Sequence, residues 1–241
     1  MIRVSQGMGF FSQAQATQLV TEIIFTIIII TLCILIYTRT KEMYQLSKYK
    51  GIKYFRITFL LFALTYLSRF LFVIIYLGYR LTETHLRLGF IMHYTTIIPL
   101  SILSTLALLY LAYSTIWKRL AYNQFIIFAL AYAFVVTIVT TTLQSITSLI
   151  LLQLPILLFA FIQLRKSKHA KKTKTQIKTT NNNIHTMYSL LAVFWILSFF
   201  VIRIPRIHIT MILPLWAKII LQLLAIGSFA IIYYKVLKWV R

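Results

Sequence analysis

Residues 57–79 read ITFLLFALTYLSRFLFVIIYLGY, an apolar run in which Arg69 is the single charged side chain. A helix needs about 20 such residues to cross the hydrocarbon core of a bilayer. It must also be a helix, because lipid offers no partner to backbone N–H and C=O groups. Residues 18–38, QLVTEIIFTIIIITLCILIYT, repeat the pattern with Glu22 as their one charge. Working outward, comparable stretches lie at about 88–117, 121–142, 145–164, 187–204 and 213–237. Between the fourth and fifth, Thr140, Thr141, Thr142, Leu143, Gln144 and Ser145 read as a tight uncharged hairpin. The expected fold is all-α: a polytopic membrane bundle of about seven transmembrane helices, forming one domain.

The composition excludes the alternative of a soluble domain. Of 241 residues, 60% are hydrophobic and 12% charged, against about 25% charged in a soluble domain, and the mean hydropathy is +0.85. A chain of this size buries about 70–75% of its unfolded surface on folding, so in water a large apolar area would stay exposed. Residues 1–17 carry one charge, Arg3, and the long apolar run after them has no small-residue cleavage pattern, so the first span is expected to be retained.

The charge is lopsided, with 25 Lys and Arg against three acids, Glu22, Glu42 and Glu83. Most of the cations sit in short connectors beside apolar runs: Arg39, Lys41, Lys48, Lys50, Lys53 and Arg56 in the first, Lys118 and Arg119 in the third, seven from Arg165 to Lys178 in the fifth, and Lys235, Lys238 and Arg241 in the tail. The opposite flanks hold Arg3, Arg80, Arg87, Arg203 and Arg206. The richer side is the cytoplasmic one by the positive-inside rule. The N-terminus is therefore expected outside and the C-terminus in the cytoplasm, in the plasma membrane of a prokaryote. Tyr37, Tyr79, Trp117, Tyr233, Tyr234 and Trp239 fall where aromatic anchors meet head groups. The segment 165–186, rich in Lys, Thr and Asn, reads as a mobile cytoplasmic loop whose Lys166, Lys168, Lys171, Lys172 and Lys174 would meet anionic lipid head groups or an acidic membrane-protein partner. Nucleic acid is not expected, since no folded basic domain is present to receive it.

A charge placed mid-membrane costs about 2.5–3.5 kcal/mol or more, which makes every such group a functional candidate. Arg69 stands about 18 Å from the cytoplasmic end of its span at 1.5 Å per residue, too deep to snorkel easily. Thr58, Phe62, Thr65, Arg69, Phe72 and Tyr76 follow steps of four and three and share one helix face, expected to point into the bundle. Glu22 is the acid within a span; antiparallel packing brings it to within roughly 9 Å of the depth of Arg69. His93 and Lys218 come in at the same level, with Arg203, Arg206 and His208 at the mouth of the sixth span. Two readings stand side by side. In one, Arg69, Glu22, His93, Lys218, Tyr76 and Thr65 line a net-positive pocket in the outer half, suited to a carboxylate or phosphorylated head group. In the other, Lys218, Arg203 and Arg206 snorkel to the interface while Arg69 forms a structural ion pair.

Enzyme signatures are missing: the sequence has no Asp, no paired carboxylates, no HExxH, no GxSxG and no Walker loop. The lone cysteine, Cys33, forms no intramolecular disulfide or cysteine cluster. No catalytic residue, metal or cofactor is expected.

The stretch from Lys41 to Arg69, KEMYQLSKYKGIKYFRITFLLFALTYLSR, resembles uncharacterised archaeal seven-helix membrane proteins and, more loosely, the membrane sensor modules that precede histidine kinases. The resemblance implies a stand-alone sensor-like bundle. It does not extend to microbial rhodopsins, because Lys218 and Lys235 lie near the ends of the seventh span rather than at its centre. The expectation is a non-enzymatic receptor or sensor. A small-solute or lipid transporter, and an accessory subunit of a membrane complex, are the alternatives.

Overall fold

The computed structural model describes residues 13–81, 88–143, 145–170, 178–201 and 215–240. These form seven α-helices: α1 Gln13–Ser47, α2 Lys50–Leu81, α3 Leu88–Ile116, α4 Tyr122–Leu143, α5 Ile146–Ala170, α6 Lys178–Val201 and α7 Leu215–Val240. Among the described residues, α1 to α4 and α7 hold stretches long and apolar enough to cross a membrane. The apolar stretches described in α5 and α6, Thr147–Gln163 and Thr186–Ser198, are shorter. The chain is thus a multi-pass helical membrane protein.

Several helices outrun the apolar runs that define them. α1 continues past Arg39 and Lys41 to Ser47, and helix occupies both flanks of the basic segment, since α5 extends to Ala170 and α6 opens at Lys178. Residues 171–177, which include Lys171, Lys172 and Lys174, lie outside the described residues. Serine and threonine hydroxyls within the spans donate to carbonyls of their own helix, as Thr26 does to Glu22 at 2.7 Å and Thr65 to Leu61 at 2.8 Å. Satisfied internally, such residues can sit in an apolar environment.

α1 turns into α2 over two residues. The N–H of Lys48, at a φ of 51°, donates to the Tyr44 carbonyl at 2.8 Å, a left-handed cap that ends α1. The hairpin sets an antiparallel register in which Arg56 lies over the Tyr37 ring at 4.0 Å and Phe25 meets the edge of Tyr66 at 6.0 Å between centroids.

Six helices close a ring in the order α1, α2, α3, α5, α6, α7, with α7 returning to α1; α4 packs outside it on α3 and α5. Its inner face carries Phe125, Ala129, Ala133, Val136, Thr137 and Thr140, whereas Ile127 and Phe134 project outward, 70% and 64% exposed. Lipid covers such faces in a membrane. The ring's interior is filled by aromatic side chains. Phe59 meets the edge of Phe229 at 5.9 Å, Phe194 meets Phe229 at 4.1 Å, and Phe62 meets Phe194 at 6.1 Å, which joins α2, α6 and α7 across the centre.

Gly51 sits close against the end of α3. A Cβ there would strike the Tyr49 ring and stand 3.0 Å from the Ser114 carbonyl oxygen, whereas one at Gly227 in α7 would meet nothing within 4 Å. Gly51→Ala is expected to lower stability by about 1–3 kcal/mol through overpacking. Gly227→Ala should raise it by about 0.5–1 kcal/mol, since alanine is the better helix former. Thermal unfolding of the two variants in one detergent checks the opposite signs.

Candidate functional site

Of the α2 face that the residue spacing selects, Thr58, Phe62, Thr65 and Arg69 are all at or below 5% exposure and Phe72 is half-buried, while the side chain of Tyr76 lies outside what is described. Leu60, Leu64, Leu67 and Leu71 occupy the lipid-facing side. This rotation aims Arg69 at α1, where Glu22 waits on the antiparallel neighbour.

Arg69 donates from Nε to Glu22 Oε1 at 3.1 Å and from Nη2 to the same oxygen. The other carboxylate oxygen, Oε2, takes Lys218 Nζ of α7 at 3.6 Å. One acid therefore holds two cations, and through them α1, α2 and α7. The side chains are 13% (Glu22), 6% (Arg69) and 11% (Lys218) exposed. Lys218 turns inward onto Glu22 and does not snorkel, which corrects the interfacial reading for that residue. The count leaves one positive charge over on the triad.

The guanidinium is not fully used. Nη1 of Arg69 is buried and has no hydrogen-bond partner among the described residues. Arg69 also borders a largely apolar cavity of about 30 Å³, together with Thr65 and Tyr66 of α2, Leu100 and Ser104 of α3, Leu149 of α5, and Phe194, Trp195 and Ser198 of α6. Neither Glu22 nor Lys218 borders it. Its hydroxyls are ordered by their own bonds. Ser198 Oγ donates to the Phe194 carbonyl at 2.8 Å, so the 2.9 Å bond between Ser198 and Tyr66 has the tyrosine as donor.

Of the other residues selected from sequence, Thr65 borders the cavity with its hydroxyl donated to Leu61. Tyr76, His93, Lys166 and Lys168 lie on described helices, but their side chains fall outside what is described. Arg203, Arg206 and His208 lie outside the described residues altogether. Among the described residues no three His, Cys, Asp or Glu side chains gather as metal ligands, and Cys33 is buried.

A second polar node escaped the sequence reading. Gln153, fully buried two turns into α5, donates from Nε2 to Ser104 Oγ and Thr105 Oγ1 of α3, each at 2.8 Å, and accepts from Trp195 Nε1 of α6 at 3.0 Å. Indole N–H only donates, so Oε1 must face Trp195, and the amide orientation is settled by its partners. The signal was a lone amide within LILLQLPILL; being neutral, it drew less notice than the charges. Nearer the basic end, Ser114 Oγ donates to the Leu111 carbonyl at 2.6 Å and accepts from Tyr188 of α6.

The chain has a distant archaeal relative. An uncharacterised protein of Archaeoglobus fulgidus is 29% identical over 224 residues, covering 90% of this chain and 91% of the relative. No known protein family and no solved structure matches. The similarity covers most of the chain, but the relative brings no activity with it.

Removing the three triad charges should have unequal effects. Glu22→Gln strands two buried cations and is expected to cost about 3–5 kcal/mol. Arg69→Ala leaves the Glu22–Lys218 pair and should cost less, while Lys218→Met leaves a neutral pair and should be the mildest. Unfolding midpoints in lipid bicelles give the order. Gln153→Leu orphans the Trp195 N–H and should cost about 1–2 kcal/mol, together with a change in tryptophan fluorescence.

Proposed function

We propose that this chain is a non-enzymatic receptor or sensor of seven membrane spans, its N-terminus outside and its C-terminus cytoplasmic, in the plasma membrane of a prokaryote. The ligand is an anion of the carboxylate or phosphate class, entering at the end of the bundle that holds Lys218. The reading is carried by one observation: a single buried carboxylate is shared between cations of two other helices, with positive charge to spare. An incoming anion that takes Lys218 from Glu22 would loosen α7 from α1 while Arg69 keeps the carboxylate. That is a change of helix packing driven by a difference in contacts, which a ligand-operated switch requires. The aromatic side chains filling the ring's interior favour a bundle that repacks over one that conducts a solute.

The basic end would face the cytoplasm. Lys41, Lys48, Lys50, Lys53 and Lys118 are exposed there, and Lys166, Lys168, Lys171, Lys172 and Lys174 extend the same charge in sequence. Anionic head groups are the natural counter-ions, at about 1 kcal/mol per basic residue near the surface. A membrane-protein partner that carries the signal onward would dock on this face.

The test is thermal unfolding of purified protein in neutral detergent against a panel of small carboxylates and organic phosphates. A saturable rise in midpoint with at least one class, abolished in Lys218→Met, is the expected result. No stabilisation by any member, or an undiminished response in that variant, contradicts the reading.

A further inference from the structure

We infer that the lipid-facing groove between α1 and α2, at the basic end of the bundle, holds one anionic phospholipid, with its phosphate on Arg56 and an acyl chain along Ile34 and Leu60. The inference rests on the attraction of anionic head groups to the basic end proposed above and narrows it to one bound lipid at one place. It is independent of the anion proposed to meet Lys218, a residue near the start of α7 at the opposite end.

Arg56 carries the site. Its guanidinium lies over the Tyr37 ring at 4.0 Å, a cation–π contact that holds the long side chain in one place before any ligand arrives. Apart from that ring it has no hydrogen-bond or ion-pair partner among the described residues. Nε is buried, so an acceptor from outside meets Nη1 and Nη2, which are not buried. The Tyr37 hydroxyl likewise makes no bond among the described residues. Glu42, the acid described at this end, is already held by Arg39 at 3.2 Å. A planar guanidinium without a protein acceptor matches a phosphate group, which it can meet through two parallel hydrogen bonds.

The depth of the pair and its neighbours point to a lipid rather than a free anion. α2 has 32 residues, a length of about 48 Å at 1.5 Å per residue. A hydrocarbon core of about 30 Å centred on it begins near Arg56, so the guanidinium stands where phosphates give way to acyl chains. Residues three or four apart share a flank of a helix. One turn deeper on the flanks of Arg56 and Tyr37 stand Leu60 of α2, 37% exposed, and Ile34 of α1, 48% exposed. One turn the other way are Lys53 and Lys41, both exposed. Cations above and apolar side chains below follow the profile of a phospholipid, and basic pockets between membrane helices are known to take such head groups. A soluble phosphate would leave the apolar half of the groove unused.

Native mass spectrometry of the purified full chain in neutral detergent tests the site, with phosphatidylglycerol, phosphatidylcholine of the same acyl chains, or hexaglutamate added. The expected result is one phosphatidylglycerol retained after weaker lipids are stripped, with neither phosphatidylcholine nor hexaglutamate held as firmly. Arg56→Gln should weaken that first lipid about tenfold, the value of one charged hydrogen bond. Arg56→Lys keeps the charge but loses the planar fork and should weaken it too. Tyr37→Phe keeps the ring under Arg56 and should cost about threefold, the value of a neutral hydrogen bond. Arg119→Gln, which removes a charge from the α3–α4 connection at the same end, should change nothing. Equal losses in Arg119→Gln and Arg56→Gln would overturn the site while leaving a diffuse attraction to the basic end intact, and retention of no phosphatidylglycerol at all would overturn both. Equal retention of phosphatidylcholine, full retention of phosphatidylglycerol in both Arg56 variants, or preferred retention of hexaglutamate, which would assign the groove to an acidic protein segment, would also overturn the assignment.

Discussion

Hydrocarbon cannot solvate a charge, and this bundle gathers Glu22, Arg69 and Lys218 within its apolar stretches. The arrangement survives because Glu22 faces Arg69 and Lys218 at once, so that α1, α2 and α7 are committed to one another wherever the bilayer removes water. In an aqueous core such a pair is weak evidence for stability, since well-packed apolar residues often serve as well. In a membrane, helix association lacks the hydrophobic drive that water supplies. Polar contacts then decide which helices are neighbours, and the register of the α1–α2 hairpin follows from the same constraint.

A division of labour along the bundle results. The triad ties one side of the ring near the end away from the basic loops, and Gln153 ties the other side through α3 and α6. Between them the aromatic cluster of Phe59, Phe194 and Phe229 fills the centre. Tyr66 and Ser198 connect the two regions, since the Tyr66 hydroxyl donates to Ser198 across the cavity edge, about three turns along α6 from the Tyr188 contact to α3. α4 stands outside this scheme. It holds to α3 through small residues and a stacked pair, Tyr113 on Phe125 at 3.9 Å, and turns the rest of its surface outward.

Much of this was legible in the residue order, and the limits have physical causes. Apolar run length placed all seven helices, because a helix is the one way an isolated segment satisfies its backbone in lipid. The buried face of α2 could be read because Thr58, Thr65 and Arg69 contrast with the leucines around them. Depth made Glu22 a candidate partner for Arg69, yet it did not foretell the inward turn of Lys218: a lysine near a helix end can snorkel, and its sequence neighbours do not say which way it goes. Gln153 went unnoticed because a neutral amide carries no charge to flag it. The peripheral place of α4 was beyond reach for another reason. When lipid and protein interior are equally apolar, the periodicity that separates core from surface in a soluble helix fades, and neighbour order is decided by contacts far apart in sequence.

The account turns on whether Glu22 and Arg69 are energetically joined inside the membrane. A double-mutant cycle in lipid bicelles, with Glu22→Gln, Arg69→Gln and the two combined, measures that directly. The account predicts strong non-additivity, with the double variant more stable than the sum of the single losses by about 2 kcal/mol or more, within the range for residues in contact. Additive losses would show that the two side chains do not meet in lipid, and would contradict the arrangement on which the ring and its site are built.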